Sequence, residues 1–509
     1  MSESVPIRLE PLSAELEVVR GASLSSCLLR YGLEFPCGGT AQCGGCRVRV
    51  LVGSLPVTTS DALVFSSREL ADGWRLACQA RAEMPLVLEC GQWQMDVLTD
   101  DSGLDAAGKS GLGIAIDLGT TTIVAQLVDM AAGGVLAVET GLNPQAQFGS
   151  DVMHRVEAAL SGRDLTRVVR LELGQMIARL ARGREREIVE VVLVGNTVMH
   201  HLFSGLDVEP LSHVPFESPH LGVQRFRPDD LGWGLPADCR INFERCLGGF
   251  VGSDVLAGVL AVGMTHAEHL LALVDLGTNG EIAIGNRNGI VCASTAAGPA
   301  FEAGSIRMGM RATTGAVSRV SLCEGSIEAI VIGDVEACGI CGSGLVDAVA
   351  AGLECGAILP SGRIGNGTKL FPVKDAVVLY QSDIRELQLA KGAIASGFRL
   401  LLRHLGAQAS DLESIHLAGA FGNYVRIESA IGIGLIEGPR TIIQASGNTA
   451  LRGAKILLLS AHEPALPNIR HVSLAADPDF EDEYAKCMTF PEAETAVCEA
   501  QGAPPAAAN

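Results

Sequence analysis

Three cysteines on one glycine-rich loop constrain this chain more than any other feature. Residues Phe35 to Val48 read FPCGGTAQCGGCRV, which sets Cys37, Cys43 and Cys46 in a C-x5-C-x2-C array. Two glycine pairs free the backbone to turn three sulfurs toward one point. A fourth thiol, Cys78, follows in the segment RLACQ. Three thiolates from one loop and one from farther along form a ligand set for a [2Fe-2S] cluster. Structural zinc is the competing reading, but four-thiolate zinc sites usually pair two C-x2-4-C knuckles, and this region has only one, Cys78 having no cysteine two to four residues away. Around the loop, Ile7 to Val19 alternates as two short strands, Leu24 to Leu29 reads as a helix capped from Ser23, and Cys46 to Val52 and Met84 to Cys90 read as further strands.

Composition narrows the partners. A formal charge of -20 argues against nucleic acid, whose phosphates need a basic surface. An anionic nucleotide would have to be held locally, by backbone amides, helix N-termini and a metal ion. The longest apolar run, Val255 to Val274, is broken by His266, Glu268 and His269, so no membrane span is expected. No basic stretch followed by an apolar run opens the chain, and the expectation is a cytoplasmic protein. With 15 cysteines in a chain of 509 residues, a disulfide framework is not expected. Outside the loop, Cys27, Cys90, Cys239, Cys246, Cys292, Cys323, Cys355, Cys487 and Cys498 are read as small buried apolar residues.

Beyond residue 98 the sequence LTDDSGLDAAGKSGLG reads as a linker over residues 99–112. Then Gly113 to Val128 reads GIAIDLGTTTIVAQLV: two apolar strands around a turn of Asp117, Gly119, Thr120, Thr121 and Thr122. Amides and hydroxyls in such a hairpin can wrap a triphosphate, with Asp117 holding Mg2+ through water. Leu271 to Ile284, LALVDLGTNGEIAI, repeats the pattern with Asp275, Gly277, Thr278, Asn279, Gly280 and Glu281. The repetition makes a phosphate hairpin far more specific than either copy alone. Two more strands break at glycines: IVEVVLVGN, ending at Gly195 and Asn196, and IHLAGAFGNY, carrying Gly419 and Gly422.

These segments resemble the actin, sugar kinase and Hsp70 superfamily, in which two ribonuclease-H-like subdomains close on ATP. The resemblance implies a first subdomain over 113–265 and a second over 266–490 with the adenosine motif at Gly419 and Gly422. The glycines of CGICGSGLVDA, Gly342 among them, would let a helix approach its counterpart in the other subdomain. Cys338 and Cys341 in that motif admit a second reading, as ligands of an additional cluster. Asn143, Gln147 and Asp151 are read either as a capped helix entry or as residues of the interdomain cleft. His200 and His201 are read as satisfied, half-buried histidines rather than ligands. The small, uncharged loop Cys292 to Gly304 reads as a surface connection or part of a partner surface, and the tail 491–509 as disordered.

The first 98 residues resemble plant-type and vertebrate-type [2Fe-2S] ferredoxins, with a β-grasp fold and the cluster on Cys37, Cys43, Cys46 and Cys78. Fusion of the two halves resembles the reductive activators of corrinoid-dependent methyltransferases, across C-x5-C-x2-C with RLACQ, IDLGTTT, VDLGTNGE, NPQAQFGSDV, LVGNTVMHHL, AAGPAFE, GICGSGLVDA and LAGAFGNY. That resemblance implies ATP-dependent reduction of Co(II) to Co(I) on a separate corrinoid protein, fed by a low-potential electron donor. Ferredoxin clusters of this type lie near about -400 mV. A target about 100 to 200 mV lower costs about 2 to 5 kcal/mol per electron, which nucleotide-driven closure can supply. Relatives carry a longer segment between the two halves that is absent between Val97 and Gly113. That difference leaves domain motion and a possible homodimer contact open. Two alternatives stand beside this reading: an activator of a 2-hydroxyacyl-CoA dehydratase, and a redox- and nucleotide-sensing module without turnover.

Overall fold

The computed structural model describes residues 4–10, 14–31, 33, 35, 39, 41, 46–90, 99, 100, 102–104, 108–149, 151–277, 279–365, 369–462 and 464–492. At the N-terminus a five-stranded sheet is formed by β1 (Ser4–Glu10), β2 (Ala14–Val19), β3 (Arg47–Val52), β4 (Trp74–Leu76) and β5 (Leu86–Cys90), in the order β2-β1-β5-β3-β4. β1 and β5 run parallel and the other pairs antiparallel, the mixed sheet of a β-grasp domain. Alternation in β1 puts Val5, Ile7 and Leu9 inside, against the Leu24–Leu28 helix. Ser23 caps that helix by accepting from the Ser25 amide.

Two six-stranded sheets follow. The first takes β6 (Leu112–Leu118), β7 (Thr122–Asp129), β8 (Val135–Leu142), β9 (Ile188–Val194), β10 (Gln224–Phe226) and β11 (Arg240–Phe243), in the order β10-β11-β9-β6-β7-β8. The second begins with β12 (Leu270–Leu276), β13 (Gly280–Asn286) and β14 (Gly289–Thr295). A smaller sheet of β15 (Ala316–Cys323), β16 (Ser326–Val331) and β17 (Gly339–Ile340) and a hairpin of β18 (Leu370–Lys374) and β19 (Val377–Tyr380) intervene. The second sheet is then completed by β20 (Leu412–Ala418), β21 (Ile443–Ala445) and β22 (Ile469–His471), in the order β21-β20-β12-β13-β14-β22. Each sheet is an antiparallel meander whose first strand also pairs in parallel with a later one: β6 with β9, and β12 with β20. The repeated hairpin thus reflects a repeated sheet. β9 and β12 are almost continuously apolar because both of their faces are covered, whereas β20 carries Glu413, Ser414 and His416 among its apolar residues.

Helices join the two halves, and here the structure departs from expectation. The helix Gly342–Glu354 does not cross to the first subdomain. It packs on β15 and on the Ile427–Gly432 helix, within its own half. Its glycines serve close approach there: a Cβ on Gly342 would meet the Phe301 carbonyl at 1.7 Å, and one on Gly344 the Val317 carbonyl at 2.2 Å. The crossing pair is the Ser253–Ala261 and Thr449–Leu459 helices, which meet where Gly453 lies on Ala257. The segment read as a linker is partly built in. Lys455, fully buried, pairs with the Asp100 carboxylate at 2.8 Å and donates to the carbonyls of Asp100 and Ser102. Lys109 donates to Glu190 and to the Leu458 carbonyl.

Cys27, Cys90, Cys239, Cys246, Cys292 and Cys487 are buried as expected, but Cys323 is half-buried and Cys355 exposed; Cys498 lies outside the described residues, as does the tail beyond residue 492. No helix among the described residues is long and apolar enough to cross a membrane.

Candidate functional site

A cavity of about 560 Å³ opens between the two sheets, at the ends of β6 and β12. The two phosphate hairpins face each other across it. Each is closed by a bond from its glycine amide, Gly119 N–H to the Thr122 carbonyl at 3.0 Å in the first and, across a turn one residue shorter, Gly277 N–H to the Asn279 carbonyl at 3.1 Å in the second. A Cβ on Gly119 would stand 2.6 Å from the Thr122 carbonyl, so the turn requires glycine. Of the residues singled out in the sequence, Asp117, Gly119, Thr120, Thr121, Thr122, Asn196, Asp275, Gly277, Asn279, Glu281, Gly342 and Gly419 line the cavity. Asn196 caps the Thr197–Ser204 helix and donates from its side chain to the Thr120 hydroxyl at 2.8 Å, tying the β9 end to the first hairpin. Gly419 has φ +79°, and a Cβ there would lie 2.4 Å from the Asp275 carboxylate. The turn expected after β20 is instead the short helix Gly419–Tyr424.

Gly195, Gly280 and Gly422 stand behind the wall, packed against Leu118, Ile394 and Leu417 respectively. Thr278, Cys37 and Cys43 lie outside the described residues. Asp151 caps the Val152–Leu160 helix, and Gln147 bonds the Pro144 carbonyl; neither reaches the cavity. Asn143 does not line it either, but it backs the first hairpin by donating to the Gly119 carbonyl. His200 and His201 are fully buried and satisfied, His200 by the Gly222 carbonyl and His201 by Thr197 and Ser218. The loop after β14 is no surface connection: Ala297, Ala300, Phe301 and Ala303 are buried, and Phe301 and Glu302 line the cavity.

Two functional candidates escaped the sequence reading. Asp254, at the start of the Ser253–Ala261 helix, looks into the same cavity. Asn448 caps the Thr449–Leu459 helix and donates to Asp117 Oδ2 at 3.0 Å. The only cues were a Gly-Ser-Asp and a Gly-Asn-Thr before apolar stretches, which read as ordinary helix entries.

Crowding of carboxylates dominates the electrostatics. Burial pushes Asp117 up to about 6, with the Asn448 bond pulling the other way. Asp275 is pushed up to about 7, first by burial and then by the charge of Asp117. Asp254 and Glu281 are raised too, by burial and by their neighbours' charges. Four such groups repel a bare polyphosphate and call for a cation between them and it. Among the described residues no three His, Cys, Asp or Glu side chains gather tightly enough to hold a metal by themselves. A cation here would take its remaining ligands from water and phosphate, the habit of Mg2+. Rings of Phe301 and Phe421, 4.7 Å apart, form part of the apolar lining.

In the N-terminal domain, the pairing of β3 with β4 brings Cys46 and Cys78 together: the Ala77 N–H donates to the Cys46 carbonyl at 2.9 Å. Gly39, from the cysteine loop, sits over Cys78, where a Cβ would be 3.8 Å away. Gln79 donates to the Gly39 carbonyl at 2.9 Å and to Cys78 Sγ at 3.5 Å. The loop therefore closes onto the fourth thiol with a donor aimed at sulfur, an arrangement that fits a cluster held by thiolates. Cys338 and Cys341 do not converge in this way. Cys338 is exposed against the Glu336 carbonyl, whereas Cys341 is buried beside Ser343.

Comparison with known proteins agrees with this anatomy. Residues 7–83 match the 2Fe-2S iron-sulfur cluster binding domain, residues 112–267 the RACo middle region, and residues 269–501 the C-terminal ASKHA domain of RACo. The corrinoid activation enzyme RamQ of Eubacterium limosum is 35% identical over 417 residues, which span 74% of this chain and 70% of that one. The [Co(II) methylated amine-specific corrinoid protein] reductase of Methanosarcina barkeri is 27% identical over 380 residues, covering 68% and 70%. The solved structure of a reductive activator for corrinoid, iron-sulfur protein superposes with a TM-score of 0.64 at 25% identity, over 96% of this chain and 98% of that one. With a [2Fe-2S] ferredoxin-like domain followed by an actin-like ASKHA fold, the chain belongs to the RACo family of reductive activators of corrinoid proteins.

Proposed function

We propose that this protein binds Mg-ATP in the cleft between its two sheets and couples hydrolysis to the delivery of one electron to Co(II) of a corrinoid protein, giving Co(I). The observation that carries this reading is the union, in one chain, of a thiolate cluster domain with a cleft whose paired hairpins present Asp117 and Asp275 to one cavity. When bound, the cluster supplies one-electron chemistry at low potential. Cys46 and Cys78 hold it together with Cys37 and Cys43, and Gln79 directs a hydrogen bond at Cys78.

In the cleft, amides and hydroxyls of Gly119 to Thr122 and of Gly277 to Asn279 receive the phosphates. Asp117 and Asp275 would hold Mg2+ there, and Asn448, which donates to Asp117, orients that carboxylate. Glu281 and Asp254, both raised in pKa, stand where a water could be deprotonated for attack on the terminal phosphate. Gly419, Phe421 and Tyr424 accept the nucleoside end. The electron comes from a low-potential donor, and the resting place of the protein is the cytoplasm.

The test mixes the reduced, cluster-loaded protein with a Co(II) corrinoid protein, with and without Mg-ATP, and follows Co(I) absorbance. ATP-dependent Co(I) is expected. If Co(I) never forms, or forms equally without ATP from a weak donor, the reading is wrong.

A further inference from the structure

The cluster domain is not docked on the nucleotide fold at random. The segment Leu29–Tyr31, which directly precedes the cysteine loop, rests against the Pro144–Phe148 turn and the end of β8. Leu142 and Ala146 from the nucleotide fold join the apolar core of the cluster domain, beside Tyr31. That same turn grips the first phosphate hairpin from behind. The Asn143 N–H donates to the Thr121 carbonyl at 2.8 Å, and its side chain donates to the Gly119 carbonyl at 2.9 Å. Asn143 Oδ1 accepts from the Gln145 N–H at 3.0 Å, capping the turn, so one fully buried side chain fastens hairpin and turn together.

We propose that Asn143 is the positioning residue through which the phosphate hairpin sets the placement of the cluster domain. Both hairpin carbonyls it binds belong to the turn that would wrap a phosphate, so any adjustment of that turn moves Asn143, and with it Ala146. The layer behind the turn is not fully satisfied. Arg155 donates to the Gly149 carbonyl at 3.0 Å, yet its Nη2 and the Oε1 of Gln145, both buried, find no hydrogen-bond partner among the described residues. Buried groups left short of partners suit an element with a second arrangement to adopt. The contact made with the cluster domain by Leu142 and Ala146 is apolar, which suits a joint that shifts. The inference rests on the reading of the cleft as a nucleotide site and adds a route from that site to the cluster domain.

Hydrogen–deuterium exchange on the full, cluster-loaded chain tests it, with and without magnesium and the non-hydrolysable β,γ-imido analogue of ATP. Two variants bracket the joint. Asn143→Ser keeps an oxygen to cap the turn but cannot reach the Gly119 carbonyl. Ala146→Glu puts a charge into the apolar contact on the other side. In the parent, the nucleotide should slow exchange at Asp117 to Val124 and change exchange at Leu24 to Tyr31 by about fivefold or more. Both variants should keep the hairpin response and lose most of the distant one, an outcome that mere loosening of the fold would not produce. If Leu24 to Tyr31 ignores nucleotide in the parent while the hairpin responds, or if both variants transmit fully, the inference is overturned. If the hairpin itself never responds, the nucleotide reading fails first and takes the inference with it.

Discussion

At Gly453 the backbones of the two halves of the nucleotide fold come into direct contact, and replacing it by alanine should separate them. An alanine Cβ at that position would lie 2.0 Å from the Ala257 carbonyl oxygen, 2.3 Å from its carbon and 2.5 Å from its Cα. All three are backbone atoms, so no side chain can swing aside; the helices must part by about 1 Å. In a free helix the change would be favourable by about 1 kcal/mol. Overpacking against backbone opposes it with about 1 to 3 kcal/mol, leaving a net loss of about 0 to 2 kcal/mol. The functional effect should be larger. Asn448, which caps the Gly453 helix, holds Asp117, while Asp254 opens the facing helix, so parting the helices draws both away from the cleft. Loss of a hydrogen bond to a charged group is worth about 1.5 to 3 kcal/mol, or about tenfold or more in nucleotide affinity. Calorimetric titration with Mg-ATP analogue and a urea titration measure the two quantities. Gly234→Ala, at a site with nothing within 4 Å, is the control. A Gly453→Ala protein with parental affinity and parental or higher stability would falsify the hinge.

Cys78→Ser should abolish the visible absorbance and paramagnetic signal of the reduced cluster, whereas the double change Cys338→Ser, Cys341→Ser should leave about two irons per chain, since those two sulfurs do not converge. Buried His200 has its pKa pushed down to about 4, chiefly by burial and then by His201, so the folded chain binds fewer protons than the unfolded one between about pH 4 and 6.5. Its contribution is whole above pH about 6.5 and is lost as pH falls. Moving from about pH 7.5 to about pH 5 should cost the parent about 2 kcal/mol more in urea unfolding than it costs His200→Gln; an equal loss in both would refute this.

What could be read in advance followed from repetition and spacing. Asp117 and Asp275, which line one cavity, were legible because the same turn occurs twice, and the 2Fe-2S cluster binding domain because four thiols at those intervals have few uses. The crossing helices were not legible. Gly342 and Gly453 both permit backbone contact, and nothing in either local sequence tells which partner will be met; β15, inserted between the repeats, supplies the partner that the first of them uses. Asp254 and Asn448 were missed for a related reason. Each does the ordinary work of a helix entry, and its second role exists only because strands about 20 to 330 residues away end at the same cavity. Lys455 was invisible as well, a cation in a largely apolar helix whose counter-charge lies in a segment that reads as linker.

That buried lysine also fixes the length of a leash. By clamping the chain at Asp100, it leaves only the stretch between Cys90 and Thr99 to set how far the cluster domain can stand from the nucleotide fold. Such a stretch cannot exceed about 30 Å whatever its shape. A partner protein must then come to the cluster within reach of the cleft that governs it.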